Sequence, residues 1–196
     1  ESGIEFVNLA TLQSNALRVG VHWSCLSAPN SSSPRCHEVY FVWGAHDLKV
    51  VLGSGSVSKN ILVSGCFVNE QLNKEEHQEG RKAVQSMKNQ GAQFILALFD
   101  NSFPVPNFYR FFLAWLVEEP GLGLLIKSKG QGWKNFQNDD TRELVKLAMD
   151  TGRLSIMDHS ASPVDAALLA DFAVGITSIS AIVVAALQGA RVLYLD

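Results

Sequence analysis

The residues that are best suited to bind a ligand or take part in chemistry lie between a predicted strand and a predicted helix near the end of the chain. Apolar residues from Phe172 to Ile176 predict the strand, and apolar residues at helical spacing from Ala181 to Leu187 predict the helix. Between them stand Thr177, Ser178 and Ser180. Such a turn directs backbone N–H groups, hydroxyls and the positive end of a helix dipole into one space, which suits a phosphate or another anion. The same residues also fit an ordinary turn with a serine N-cap.

Polar residues also follow three other predicted strands, and they form a second set of candidates. Open parallel sheets bind ligands beyond the carboxyl ends of their strands. Lysine is a suitable point-charge partner for a phosphate held at a helix N-terminus. An alternative is that strand ends turn polar only because loops are polar. The candidates, in chain order, are Asp100, Asn101, Ser102, Lys127, Ser128, Lys129, Asp158, His159 and Ser160.

The pattern that positions these candidates is a regular alternation of strands and helices from Phe94 onward. It predicts a doubly wound parallel sheet of five strands joined by four helices. The Gly- and Lys-containing stretch 129–138 is predicted to be a loop, and Phe111, Phe112 and Trp115 are predicted to lie in the core. The predicted strands are Gln93–Phe99, Gly123–Lys127, Leu154–Met157, Phe172–Ile176 and Arg191–Leu195, and the predicted helices are Asn107–Val117, Asp140–Thr151, Ser162–Ala170 and Ser180–Gly189.

The earlier part of the chain has the same α/β character but is interrupted by the Ser- and Pro-rich loop Ser27–Pro34. It predicts three strands and a short helix, followed by a largely exposed helix over Glu70–Gln90. We therefore expect the end of a first α/β domain over 1–68 and a second, Rossmann-like domain over 69–196. The chain opens on Glu1 rather than Met and ends directly after a strand-like run, so we expect a piece of a longer protein.

Composition excludes several classes of protein. The 196 residues are 47% hydrophobic and 18% charged, which is typical of a globular chain with an ample core. A net charge of −3 without a Lys/Arg cluster gives no argument for nucleic acid, and no apolar run predicts a membrane span. Cys25, Cys36 and Cys66 lack metal-site spacing and fit free thiols in a reducing compartment, so we expect a cytoplasmic location and no metal site.

Several of these segments resemble glycosyltransferases of the GT-B fold, in particular those that build surface and capsular polysaccharides. Tyr40–Gly44, a short helix and Asn60–Gly65 resemble the close of the family's first domain. Leu124–Lys129 takes the place of a K-x-K segment. Ala170–Gly175, with Thr177, Ser178 and Ser180 and a helix ending in Ala185-Ala186-Leu187-Gln188-Gly189, resembles the segment that binds the sugar donor.

The resemblance implies transfer of a sugar from a nucleotide-sugar donor to a surface-polysaccharide acceptor, without a metal or cofactor, in the cytoplasm or at the inner face of the membrane. By this resemblance Thr177, Ser178 and Ser180 would hold the donor phosphates. Lys127 and Lys129 would add positive charge, while Asp100, Asp158, His159 and Ser160 would contact the base or sugar. Many relatives hold the ribose with an acid where this chain has Val184. The nucleotide, the stereochemical outcome and the catalytic base are left open.

Three other functions remain open from the sequence. Two belong to enzymes of the same fold, namely a sugar-nucleotide 2-epimerase and a polyol-phosphate transferase. The third is a non-catalytic α/β module that binds a small anion or a partner protein. The absence of an acid at Val184 favours this last alternative.

Overall fold

The structure is a computed structural model that describes residues 13–14, 16–22, 37–66, 77–100, 105–128, 131–158, 161–176 and 179–195. The chain divides into two compact units, 1–69 and 70–196. Each unit contains a parallel sheet, so the predicted α/β class is confirmed.

The first unit is built on a three-stranded parallel sheet in the order β1-β2-β3. Tyr40 and Val42 of the central strand pack on Val51 of the helix that follows it. The described elements of this unit are β1 (Val19–Val21), β2 (Val39–Val42), α1 (Ala45–Gly53) and β3 (Asn60–Val63).

An ion pair joins the segments that precede β1 and β2. The Arg18 guanidinium donates to Glu38 from Nε to Oε2 at 2.9 Å and from Nη2 to Oε1 at 2.6 Å, and the Arg18 backbone N–H donates to Oε2 at 2.9 Å. These hydrogen bonds lower the pKa of Glu38 from 4.5 to about 2, and the bonds from the Arg18 side chain have the larger effect. The carboxylate form is therefore favoured in the folded state.

A lowered pKa in the folded state makes the stability of this unit depend on pH. The contribution of Glu38 is complete above its ordinary pKa of 4.5 and is lost as the pH falls from about 4.5 to about 2. We expect Glu38→Gln to lower the unfolding temperature at pH 7 and to make little difference near pH 2. Thermal unfolding between pH 2 and 7 tests this, with the exposed Glu143→Gln as control. A Glu38→Gln deficit that stays constant across this range would contradict the prediction.

The second unit is a Rossmann-like doubly wound sheet in the order β6-β5-β4-β7-β8, with every pair of neighbouring strands parallel. Its elements are α2 (His77–Asn89), β4 (Phe94–Phe99), α3 (Pro106–Glu118), β5 (Leu122–Lys127), α4 (Gln131–Phe136), α5 (Arg142–Asp150), β6 (Leu154–Met157), α6 (Pro163–Leu169), β7 (Phe172–Ile176), α7 (Ser180–Leu187) and β8 (Val192–Leu195).

Helices pack on both faces of this sheet. On one face α3, α4 and α5 bury a cluster that includes Leu98, Leu113 and Ile126. On the other face α2, α6 and α7 bury a cluster that includes Phe99 and Ile182. We call these the α3 face and the α7 face. The central strands β4 and β5 are apolar almost throughout because both of their faces are covered.

Asp171 has a structural role at the start of β7. Its carboxylate Oδ2 accepts a hydrogen bond from the backbone N–H of Ile95 at 2.8 Å, and its own N–H donates to the Ile95 carbonyl at 2.8 Å. These bonds fix the register between β4 and β7 at their amino ends. Asp171, which belongs to the donor-site resemblance, therefore lies at the edge of the sheet opposite the carboxyl ends of the strands.

Two predictions about this unit are wrong. The stretch predicted as a loop contains the helix α4, because Trp133 and Phe136, three residues apart, bury their rings together. In the described part of the chain, five helices rather than four therefore lie between β4 and β8. Phe112 is buried as predicted, but Phe111 is 62% exposed and Trp115 is 40% exposed. These two residues lie one turn apart on the outer side of α3, since positions 108, 112 and 116 face the sheet.

Candidate functional site

The strand order places the topological switch point of the second sheet between β4 and β7. The connections from β4 through β5 to β6 run over the α3 face, while α6 and α7 lie on the other face. In such sheets the crevice beyond the carboxyl ends of the two strands at the switch point is the usual ligand site. Asp100 follows β4 and Ser180 begins α7, the helix after β7, so these two predicted site residues flank this crevice.

Asp100 and Ser128 lie side by side at the carboxyl ends of β4 and β5. The register pairs Phe99 with Lys127, so the residues that follow them are also neighbours. The Ser128 hydroxyl donates a hydrogen bond to Oδ2 of Asp100 at 2.8 Å, and both residues are buried. This bond joins the two strand ends beside the switch point.

Tyr109 of α3 brings a third polar group to the same place. Its ring is held by edge contacts with Phe108 and Trp133, whose centroids lie 5.5 and 5.3 Å away, and the residue is only 1% exposed. Burial, together with the charge of the Asp100 carboxylate, raises the pKa of Tyr109 well above its ordinary value. Although it lies close to Asp100 and Ser128, the hydroxyl has no partner at hydrogen-bonding geometry.

Lys127 lies at the same edge, but its side chain points to the α7 face of the sheet. It pairs across the strands with Phe99 and Met157, and both of these residues pack into the cluster on that face. Side chains paired in this way point to one side of the sheet. Lys127 is 7% exposed, so its ammonium group is largely removed from water. A positive charge therefore stands near the switch point on the face that carries α7.

The helix that follows β7 packs closely on that strand. Gly175 pairs with Phe99 on the α7 face, and a Cβ atom built at Gly175 would lie 2.2 Å from Cγ1 of Ile182. Glycine thus permits the close approach of α7 to β7. Ser180 is the first residue of α7 and is half-buried, but the N-cap is Ile179, which provides no side-chain cap. The alternative interpretation, an ordinary turn with a serine as N-cap, is therefore wrong, since the N-cap is an isoleucine.

The remaining predicted site residues are divided between described and undescribed positions. Asp158 follows β6 and is exposed, two strands away from the switch-point strand β4. The predicted residues outside the described ranges are Asn101, Ser102, Lys129, His159, Ser160, Thr177 and Ser178. The structure therefore brings Asp100 and Lys127 to the carboxyl ends of adjacent strands and places Ser180 at the start of α7.

Sequence reasoning overlooked Tyr109 because it lies in an apolar helix that reads as core. Its ring is indeed core, but its hydroxyl reaches the polar cluster at the strand ends. The signal that could have identified it is its place in the first turn of the helix that follows β4. In a parallel α/β sheet that turn starts beside the carboxyl ends of the strands.

Comparison with known proteins does not name a family for this chain, since no protein-family model and no curated protein matches the sequence. Within the described ranges, no group of three or more His, Cys, Asp or Glu residues could hold a metal ion. Among the helices described in the structure, none is long and apolar enough to cross a membrane.

Proposed function

We propose that this chain contains the donor-binding part of a glycosyltransferase that moves a sugar from a nucleotide-sugar donor to a surface-polysaccharide acceptor. The observation that carries the proposal is the buried Lys127, which lies at the carboxyl edge of a Rossmann-like sheet on the face where α7 begins. The strands β5 and β7 are two strand spacings apart, roughly 10 Å. A cation and a helix N-terminus at this separation can approach one diphosphate from two sides.

The chemistry that this arrangement supports is stabilisation of a departing phosphate. In sugar transfer, the bond between the anomeric carbon and the donor phosphate oxygen breaks, and its electron pair stays on the phosphate. Fixed positive charge and N–H groups that already point at this oxygen lower the barrier because they need no rearrangement during the reaction. Lys127 and the turn that contains Thr177, Ser178 and Ser180 would supply these groups. The acceptor oxygen forms the new bond to the anomeric carbon, and the acceptor hydroxyl loses its proton to a base that we do not assign.

Calorimetric titration with UDP-, GDP- and CMP-sugars tests the proposal. We expect one of these donors to bind, and we expect Lys127→Met and Ser178→Ala each to weaken binding. For Lys127 the loss should be about ten- to hundredfold, since a hydrogen bond to a charged group contributes about 1.5–3 kcal/mol. Lys146→Met, an exposed lysine of α5, is the matched control and should bind as the parent does.

Two results would contradict the donor-site assignment. One is that the parent protein binds none of the three classes of nucleotide sugar. The other is that a nucleotide sugar binds with an affinity that neither Lys127→Met nor Ser178→Ala changes. Product analysis then separates a transferase from an epimerase, because an epimerase converts its nucleotide sugar without an acceptor.

A further inference from the structure

The carboxyl edge of the five-stranded sheet differs in charge between its two faces. Lys127 leaves the sheet on the α7 face, where the N-terminus of α7 also lies. Asp100 and Ser128 come one residue after the paired residues Phe99 and Lys127. Because successive side chains of a strand point to opposite faces, those of Asp100 and Ser128 point to the α3 face. Two observations agree with this. Ser128 donates a hydrogen bond to Asp100, and the hydroxyl of Tyr109, a residue of the α3-face cluster, lies nearby. One side of the switch point is basic and the other is acidic and hydroxyl-rich.

This difference restricts where the parts of a ligand can lie. A phosphate beside the Asp100 carboxylate would place two negative charges together in a site that is largely removed from water, which is unfavourable. A neutral group with several hydroxyls meets no such repulsion. It can donate hydrogen bonds to a carboxylate and accept one from a phenol. The chemistry of the α3 face therefore selects against phosphate and for an uncharged, hydroxyl-bearing group.

The hydroxyl of Tyr109 indicates that this cluster has hydrogen-bonding capacity left over. It is buried without a partner at hydrogen-bonding geometry, and its ring is fixed among Phe108, Trp133 and Phe136. Buried polar groups in native proteins are nearly always satisfied, so an unsatisfied one requires an explanation. A phenylalanine would pack equally well here if the ring alone mattered. A ligand oxygen that accepts from this hydroxyl explains why the residue is a tyrosine.

We propose that Asp100 and Tyr109, with Ser128 orienting the Asp100 carboxylate, form a subsite for the hydroxyl groups of a neutral sugar ring on the α3 face of the switch point. This inference rests on the proposed function and specifies it further. The ring is either the ribose of the nucleotide or the sugar to be transferred. The phosphates lie on the α7 face, near Lys127. The subsite disfavours donors whose group at this position carries a carboxylate.

Titrations of the full chain with UDP-glucose, GDP-mannose, UDP, GDP and pyrophosphate test the subsite. We expect Asp100→Asn to weaken binding of the nucleotide sugar that the parent prefers by about ten- to hundredfold, as for a hydrogen bond to a charged group. Tyr109→Phe should weaken it by about three- to tenfold, as for a neutral hydrogen bond. Pyrophosphate should bind Asp100→Asn at least as tightly as it binds the parent, because a repulsive charge has been removed.

Matched variants and a stability measurement keep the test specific. Tyr194→Phe removes an exposed hydroxyl on β8, and Asp150→Asn removes an exposed carboxylate at the end of α5, so both should bind as the parent does. Tyr109→Phe should unfold at the same temperature as the parent or higher, because the lost hydroxyl has no partner in the ligand-free protein. Weaker binding by Tyr109→Phe would then not be due to unfolding.

The pattern of results separates the two sources of the ring and the two possible failures. If Asp100→Asn weakens the binding of UDP or GDP as much as it weakens the binding of the corresponding nucleotide sugar, the ring is the ribose. If only the nucleotide sugar is affected, the ring is the transferred sugar. Unchanged affinities in both Asp100→Asn and Tyr109→Phe, or an equal loss of pyrophosphate binding, would overturn the subsite alone. A parent protein that binds none of these nucleotides would overturn the subsite, and one that also binds no CMP-sugar would overturn the proposed function as well.

Discussion

Replacing Arg153 with methionine is expected to lower the free energy of unfolding of the second unit by about 3 to 4 kcal/mol. Arg153 lies just before β6 and is only 7% exposed. Its Nη1 donates to the carbonyls of Glu119 at 2.6 Å and Leu122 at 2.5 Å, and its Nη2 donates to the Leu116 carbonyl at 3.1 Å. One guanidinium group thus donates hydrogen bonds to backbone carbonyls at the end of α3 and at the start of β5.

The size of the effect follows from what methionine leaves behind. It fills much of the same volume, but it removes the charged donor from three carbonyl oxygens. The Glu119 carbonyl keeps a hydrogen bond from the Leu122 N–H at 3.1 Å, whereas Leu116 and Leu122 are buried, and a buried unsatisfied group costs about 1–3 kcal/mol. Urea denaturation followed by circular dichroism measures the loss. Arg142→Met is the matched control, because Arg142 is 73% exposed and pairs with a nearly fully exposed Asp139, so the change should stay within about 0.5 kcal/mol. Equal stabilities of the two variants would contradict this account of Arg153.

Gly175→Ala is expected to destabilise the second unit by about 3 kcal/mol and also to weaken ligand binding. A Cβ atom at Gly175 would lie 2.2 Å from Cγ1 and 2.9 Å from Cδ1 of Ile182. Ile182 is itself buried in the α7-face cluster, so it cannot swing into solvent. The added methyl group must therefore push α7 away from β7. This movement displaces the start of α7, where the proposed phosphate site lies.

A compensating substitution shows whether the clash with Ile182 is the cause. We expect Ile182→Ala to be destabilising alone. Combined with Gly175→Ala it should cost less than the two losses added together, since the shorter side chain at position 182 provides room for the methyl group at position 175. The double-mutant cycle should give a favourable coupling of about 1 kcal/mol or more. Additive losses would indicate that strain elsewhere in β7 causes the effect. Denaturation of the four proteins, with calorimetric titration of the nucleotide sugar, gives both readouts.

The class of fold could be predicted from the sequence because the strands of the second unit are long apolar runs separated by helical patterns. Their order in the sheet could not, since β7 lies beside β4 through contacts such as those of Asp171 with Ile95 that are distant in sequence. The helix α4 was missed because its glycine and lysine suggest a loop, whereas Trp133 and Phe136 gain burial only once α3 is in place. Tertiary packing decided its structure.

The candidate site was only partly predictable for a related physical reason. Asp100 and Lys127 could be identified because polar residues directly after apolar strands lie at a known edge of a parallel sheet. Their separation onto opposite faces depends on the register of β4 and β5, which the sequence does not specify. Tyr109 needed the structure, because only the packing of α3 on the sheet shows that its hydroxyl lies beside Asp100.

The central claim is that the carboxyl edge of the five-stranded sheet binds a nucleotide-sugar donor, and hydrogen–deuterium exchange tests it most directly. The full chain would be compared with and without UDP-, GDP- and CMP-sugars at saturating concentration. We predict slower amide exchange at the carboxyl ends of β4 and β5, around Asp100 and Ser128, and at the start of α7, around Ser180. Protection confined to other regions, such as β8 or the first unit, or no change with any of the three classes of donor, would contradict the claim.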